Sequence, residues 1–243
     1  MDTALVIIPA FNEGPRIGIV VDSIKEILPM TEILVVDDNS KDNTREQAQR
    51  AGAYVITHPI NLGYASSLET GYRYALKYHY DYVIQMDGDG QHLAGEIPKL
   101  LGPLTDGKAD IVIGSRIKNN PGYSIPSIRR LGLFFFSNLF YIFTCFRIND
   151  PTSGFQGLNK KTLSLYLNST FPDDFPDTDV LLQAYLCGLR IIEIPVRMQG
   201  RSGGISMHSG LKPIYYTFKM TLSMIITYIN YKSKMESKCS SDK

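Results

Sequence analysis

The sequence predicts an α/β fold, a doubly wound and mostly parallel sheet flanked by helices. Three observations carry that expectation. Short apolar runs of strand length alternate with segments of helical period over the first 114 residues. Acidic and glycine-rich motifs follow directly on several of those runs, at the carboxyl ends where open parallel sheets hold ligands. The chain, 243 residues with 44% hydrophobic and 20% charged, can bury one large core and is not disordered throughout.

Residues 4–8, ALVII, form the first run, continuous as in a strand buried on both faces. A helix follows over 15–28, with Ile17, Val20, Val21, Ile24 and Leu28 at helical spacing. The alternation continues with strand 32–36, helix 44–51, strand 54–57, helix 62–78, strand 82–86, helix 95–104 and strand 110–114. Right-handed crossovers join such strands. The second half is less regular. Residues 127–146 form an aromatic helix, 178–187 another, and 191–196 a strand. A Gly/Ser-rich loop, 200–210, leads to an amphipathic helix over 211–231 and a polar, frayed tail over 232–243. No repeat or interdomain linker is visible, so residues 1–210 read as one domain.

The formal net charge of +1 conceals an uneven distribution. Residues 1–114 carry 9 Lys/Arg against 16 Asp/Glu, whereas 115–147 carry 5 against none and 197–243 carry 8 against 2. An acidic front half suits a cation, and basic blocks set among aromatics suit an anionic partner at an apolar boundary. Neutral overall charge and the lack of a binding motif argue against nucleic acid. No apolar run reaches 18 residues, and the N-terminus lacks a basic region of the secretory kind. Cys145, Cys187 and Cys239, odd in number and far apart, point to a reducing compartment rather than a disulfide framework or structural zinc.

Three strand ends carry candidate chemistry. Asp87-Gly88-Asp89-Gly90-Gln91-His92 places two carboxylates at i and i+2, able to turn toward one hard divalent cation with positions left for phosphate oxygens. A simple Asx or glycine turn is the competing reading. Asp37-Asp38-Asn39-Ser40, with Asp42 and Thr44, offers a carboxylate to a ribose hydroxyl or base edge, beside a capped turn. Pro9-Ala10-Phe11-Asn12-Glu13 offers an aromatic ring and an acid at the first strand end. The absence of GxGxxG after the first strand, and of any GxxxxGK[ST], counts against NAD(P) oxidoreductases and P-loop NTPases.

PAFNE, VVDDNS, Asn61-Leu62-Gly63, DGDGQH, Gly114-Ser115-Arg116 and Asp150-Pro151-Thr152-Ser153-Gly154-Phe155 occur here in one order. That order resembles inverting family-two glycosyltransferases of the GT-A fold, in the polyprenyl-phosphate branch that includes dolichyl-phosphate mannose synthases. The resemblance runs from Leu5 to Ser206. It implies that Pro9, Phe11, Glu13, Val36 and Asp38 cradle the nucleotide, and that Asp87, Asp89 and Gln91 hold Mg²⁺ or Mn²⁺, with Gly88 beside the donor. It implies further that Arg116 faces phosphates, and that Arg129 and Arg130, with Ser137, receive a lipid phosphate. Asp150 falls at the acceptor side of the reaction centre, and Arg201, Gly204 and Ser206 on a loop closing over the donor diphosphate. Two positions depart from the branch: Met207 replaces a usual lysine, and Leu93-Ala94 stand where proline is common. The first weighs toward UDP-hexose over GDP-mannose as donor.

Residues 127–146 are too short to span a bilayer, and their basic start suits an interfacial helix; 211–231 carries aromatics punctuated by lysines. The resulting expectation is a peripheral enzyme on the cytoplasmic face of a membrane, moving a hexose to polyprenyl phosphate. A small membrane protein or a second copy is a further partner for the last helix. Transfer to a hydroxyl of a lipid-linked or cell-surface glycan is the alternative. A sugar-1-phosphate nucleotidyltransferase is disfavoured by the lack of a basic, Gly-rich loop after the first strand, and a non-catalytic nucleotide- or membrane-binding module is the remaining class.

Overall fold

A computed structural model describes residues 3–117, 127–168, 172, 176–200 and 212–241, with backbone alone for 127–129, 212–214 and 234–241. The described elements are β1 (Ala4–Ala10), α1 (Gly14–Ile27), β2 (Glu32–Asp37), α2 (Thr44–Arg50), β3 (Tyr54–Thr57), α3 (Tyr64–Lys77), β4 (Tyr82–Gln85) and a 3-10 turn (Ala94–Glu96) running into α4 (Ile97–Thr105). They continue with β5 (Ile111–Ser115), α5 (Ser127–Thr144), β6 (Gln156–Asn159), α6 (Lys160–Asn168), α7 (Thr178–Leu186), β7 (Ile191–Pro195) and α8 (Lys212–Ser241).

The strands form one sheet in the order β3-β2-β1-β4-β6-β5-β7. All neighbours are parallel except β6, which runs antiparallel between β4 and β5. Strand order reverses at β1, so the switch point lies between β1 and β4, just below the DGDGQH motif. Alternate residues of the central strands serve opposite faces. Leu5, Ile7, Leu34 and Val36 pack with α3 and with residues of α5 to α8, while Val6, Ile8, Ile33 and Val35 pack with α1 and α4. Burial on both faces is why these strands read as continuous apolar runs.

The front half follows the sequence expectation closely, with shifts of a residue or two at helix and strand ends. Strand β6 and helix α6 were not legible: QGLN has no apolar run, and its burial comes from the partners on either side. Helix α8 continues through the segment expected to be a frayed tail, as far as Ser241.

Candidate active site

The loops after β1 and β2 are laced together. Asn12 and Asn39 both adopt positive φ. The Asn12 amide donates to Ser40 Oγ at 2.9 Å, and Asn12 Oδ1 accepts from the Lys41 amide at 2.8 Å. Gly14 leaves room for the Asn43 side chain: a Cβ would come 2.1 Å from Asn43 Oδ1, which would have to shift. Phe11 is 47% exposed at this edge, placed to stack on a planar ligand. Glu13 accepts from Arg16 Nε at 2.6 Å, and Pro9 and Val36 are buried within their strands, supporting this edge from beneath rather than lining it.

Asp38, expected at the nucleotide, has partners within the chain. Its carboxylate is buried and accepts from the Leu62 and Gly63 amides, each at 2.8 Å, with His58 Nδ1 also at 2.8 Å. Gly63 caps the N-terminus of α3, so the charge is spent on that helix end and its entry loop. Asp37 is likewise buried and accepts from the Ser40 amide.

The metal-site candidates lie beyond β4. The Asp87 side chain is 37% exposed, and Asp89 Oδ1 accepts from the Gln91 amide at 3.0 Å, which turns the loop tightly. Gly88 lets the loop approach β1: a Cβ would stand 3.3 Å from Ile8 Cγ2 and from Ile17 Cδ1. His92 lies beneath, stacked on Phe155 at 4.8 Å, with its Nδ1 accepting from the Asp87 amide at 3.0 Å. That bond leaves the ring proton on Nε2, which faces Asp87 Oδ2 at 3.8 Å. Burial pushes the imidazole below its ordinary pKa despite the pull of Asp87 and Asp89. Gln91 is partly buried, and its carbonyl accepts from the Gln199 amide at 2.9 Å. Met198 bridges His92, and Arg197 meets the buried Glu96 at 2.9 Å, so the chain leaving β7 is pinned to this motif. Arg201 lies outside the described residues.

Two groups here escaped the sequence reading. Tyr64, the first residue of α3, donates to Asp87 Oδ1 at 3.2 Å and accepts from Gln85 Nε2 at 3.1 Å. Burial, with Asp87 nearby, raises its phenol pKa well above the ordinary value. Asp177, at the start of α7, accepts from Tyr216 of α8 at 2.8 Å. Burial raises its pKa to about 7, with Asp179 and Asp87 adding to the rise and Arg116 and the Tyr216 bond opposing it. Acids on either side of a helix start, Asp177-Thr178-Asp179, were the one signal that could have drawn attention to it.

Arg116 and Asp150, expected at the phosphates and at the acceptor side, are paired with each other. Arg116 is 5% exposed and Asp150 is fully buried. The guanidinium donates to both carboxylate oxygens, Nε at 2.8 Å and Nη2 at 2.6 Å, and the Arg116 amide adds a third bond at 2.9 Å. Glu193 on β7 accepts from the Asp150 and Asn149 amides at 2.7 and 3.1 Å. The pair ties β5 to the Asp150–Phe155 turn. Ser137, expected near a lipid phosphate, is buried on the face of α5 that carries Phe136 and Phe140. Arg130 is exposed on α5; the Arg129 side chain lies outside the described residues.

Helices α5 and α8 touch through Phe136–Tyr216 and Phe143–Tyr228, at 5.6 and 4.8 Å between rings. Their other faces leave Leu131, Phe134, Ile142, Phe218, Ile226 and Ile229 exposed. Among the described residues no helix is long and apolar enough to cross a membrane.

Residues 5–164 match the profile of glycosyl transferase family 2. The chain belongs to that family. An undecaprenyl-phosphate mannosyltransferase of Micrococcus luteus is 28% identical over 85% of this chain and 87% of its own. A UDP-N-acetylglucosamine–dolichyl-phosphate N-acetylglucosaminyltransferase of Methanococcus voltae is 25% identical over 90% and 96%. Both relatives are named for a polyprenyl-phosphate acceptor, and this family 2 chain is a nucleotide-sugar-dependent glycosyltransferase. Its fold is that of a glucosyl-3-phosphoglycerate synthase of Mycobacterium tuberculosis, crystallised with Mn²⁺, uridine diphosphate and glucosyl-3-phosphoglycerate (TM-score 0.64, 20% identity, 95% of this chain and 80% of that one). The family 2 GT-A architecture anticipated from six ordered motifs is therefore the one observed.

Proposed function

We propose that this family 2 enzyme moves a hexose from a nucleotide sugar, UDP-hexose before GDP-mannose, to a polyprenyl phosphate at a membrane surface, with a divalent cation. The observation that carries the reading is the half-exposed Asp87, followed two residues later by Asp89, at the sheet's switch point. Among the described residues no group of three or more His, Cys, Asp or Glu could hold a metal ion. Two carboxylates and an amide fit a hard cation whose remaining ligands are diphosphate oxygens and water. Asp87, Asp89 and Gln91 would hold it, and it would offset charge on the departing nucleoside diphosphate.

The rest of the reaction falls to this chain's own groups. Phe11 stacks on the base or ribose. A lipid monophosphate is already largely ionised at neutral pH, with a second pKa of about 6. It therefore needs positioning by Arg129 and Arg130 more than a base. Leu131, Phe134 and Ile142 on α5, with the outer face of α8, bring those arginines to the lipid headgroups as a peripheral, cytoplasmic-face contact. A second reading has support in Asp177. A carboxylate with a pKa near 7, within electrostatic reach of Asp87, suits proton removal from a hydroxyl acceptor.

The test is product formation from UDP-hexoses or GDP-mannose with Mn²⁺ and polyprenyl phosphate in vesicles. Asp89→Ala is expected to lower turnover at least a hundredfold, and unchanged turnover sinks the site. Asp177→Asn separates the acceptors: a mild loss supports the phosphate, and a loss of several hundredfold the hydroxyl.

A further inference from the structure

Asp87 does not stand alone at the end of β4. Its Oδ1 accepts from the Tyr64 hydroxyl at 3.2 Å, Tyr64 oxygen accepts from Gln85 Nε2 at 3.1 Å, and Gln85 Oε1 accepts from the Tyr72 hydroxyl at 2.5 Å. Tyr72 and Gln85 are almost fully buried. The direction of the chain is dictated from one end. An ionised carboxylate only accepts, so Tyr64 gives its proton to Asp87 and receives from the amide nitrogen. The amide oxygen then faces Tyr72, which donates. Space confirms the fit: a Cβ on Gly154 would stand 3.1 Å from the Tyr64 oxygen and 3.3 Å from both Asp87 oxygens, so glycine leaves that contact its room.

We propose that Tyr72, Gln85 and Tyr64 form a positioning relay that aims the Asp87 carboxylate at the divalent cation, with Tyr64 the residue in direct contact. This inference rests on the reading of Asp87 as a metal ligand. Hydrogen bonds to a ligating carboxylate fix its orientation, and losing one costs roughly 10–100-fold in metal affinity. A relay that acts only through Asp87 leaves nucleotide affinity without metal independent of these three residues.

The experiment is Mn²⁺ binding to the full chain in the presence of UDP, read by the electron paramagnetic resonance of free Mn²⁺, beside UDP binding in chelator. Tyr64→Phe keeps the ring and is expected to weaken Mn²⁺ binding about tenfold or more while leaving metal-free UDP binding unchanged. Tyr72→Phe is expected to weaken it less, and to add nothing in the Tyr64→Phe background, because its effect travels only through Tyr64. Normal Mn²⁺ binding by Tyr64→Phe, alongside lost binding by Asp87→Asn, overturns the relay and leaves the metal site standing. Additive losses, or equal losses of metal-free UDP binding, also overturn it. Normal Mn²⁺ binding by Asp87→Asn removes the premise, and the relay with it.

Discussion

Asp150→Asn tests whether Asp150 belongs to the scaffold or to the chemistry. The substitution keeps an oxygen for the Arg116 amide but removes the charge that holds a guanidinium only 5% exposed. Removing one partner of a buried pair costs about 3–5 kcal/mol, since the other charge is left without compensation. Asparagine's remaining acceptor puts this variant near the lower figure. At about 2–4 °C per kcal/mol for a chain of this size, the melting temperature falls by roughly 6–12 °C. That is a large part of a total stability of about 5–15 kcal/mol. Adding Arg116→Met removes the orphaned charge, and most of the loss is expected to return, with a coupling of about 2 kcal/mol or more. Urea and thermal unfolding of the four proteins measure this directly. Should Asp150→Asn melt with the wild type yet lose a hundredfold in turnover, the structural assignment of the pair is wrong and Asp150 acts on the substrate.

Asp177 carries a proton in the folded state up to about pH 7 but loses it near pH 3.8 when unfolded, so stability falls as pH rises between those values. Asp177→Asn removes that dependence, so its melting temperature relative to wild type rises from pH 4 to pH 8, with about 4 kcal/mol as the ceiling; a constant difference contradicts the shift. Phe134→Ser and Ile142→Ser are each expected to cost roughly tenfold in binding to anionic vesicles, given about 1.5–3 kcal/mol for a fully buried side chain, with melting unchanged. Equal vesicle binding assigns that face to another partner. Gly71→Ala places a methyl 2.5 Å from Ile7 Cγ2 and is expected to destabilise by about 1–2 kcal/mol after its gain in helix propensity. Gly132→Ala on α5, with nothing within 4 Å, stabilises by up to about 1 kcal/mol.

The legible parts of this protein are those set by local pattern. Leu5–Ile8 and Ile33–Val36 read as strands because both sheet faces are covered, and DGDGQH reads as a site because it follows a strand directly. The α1 stripe, Ile17 to Ile24, likewise appears in the helical period alone. Strand β6 was hidden because QGLN carries no pattern of its own, and α8 was cut short because polar residues after Tyr231 resemble a tail.

By itself, the sequence determined the α/β class, the family through six motifs in order, and the strand ends where ligands meet the sheet. Only the tertiary structure decided where each charge is used. It turned Asp38 onto the α3 entry, locked Arg116 to Asp150, hid Ser137, and brought Tyr64 and Asp177 into reach of Asp87. The reason is physical: a motif records which groups are available, but partners far apart along the chain determine whether a polar group faces solvent, substrate or another side chain. Burial and hydrogen bonding then set its charge.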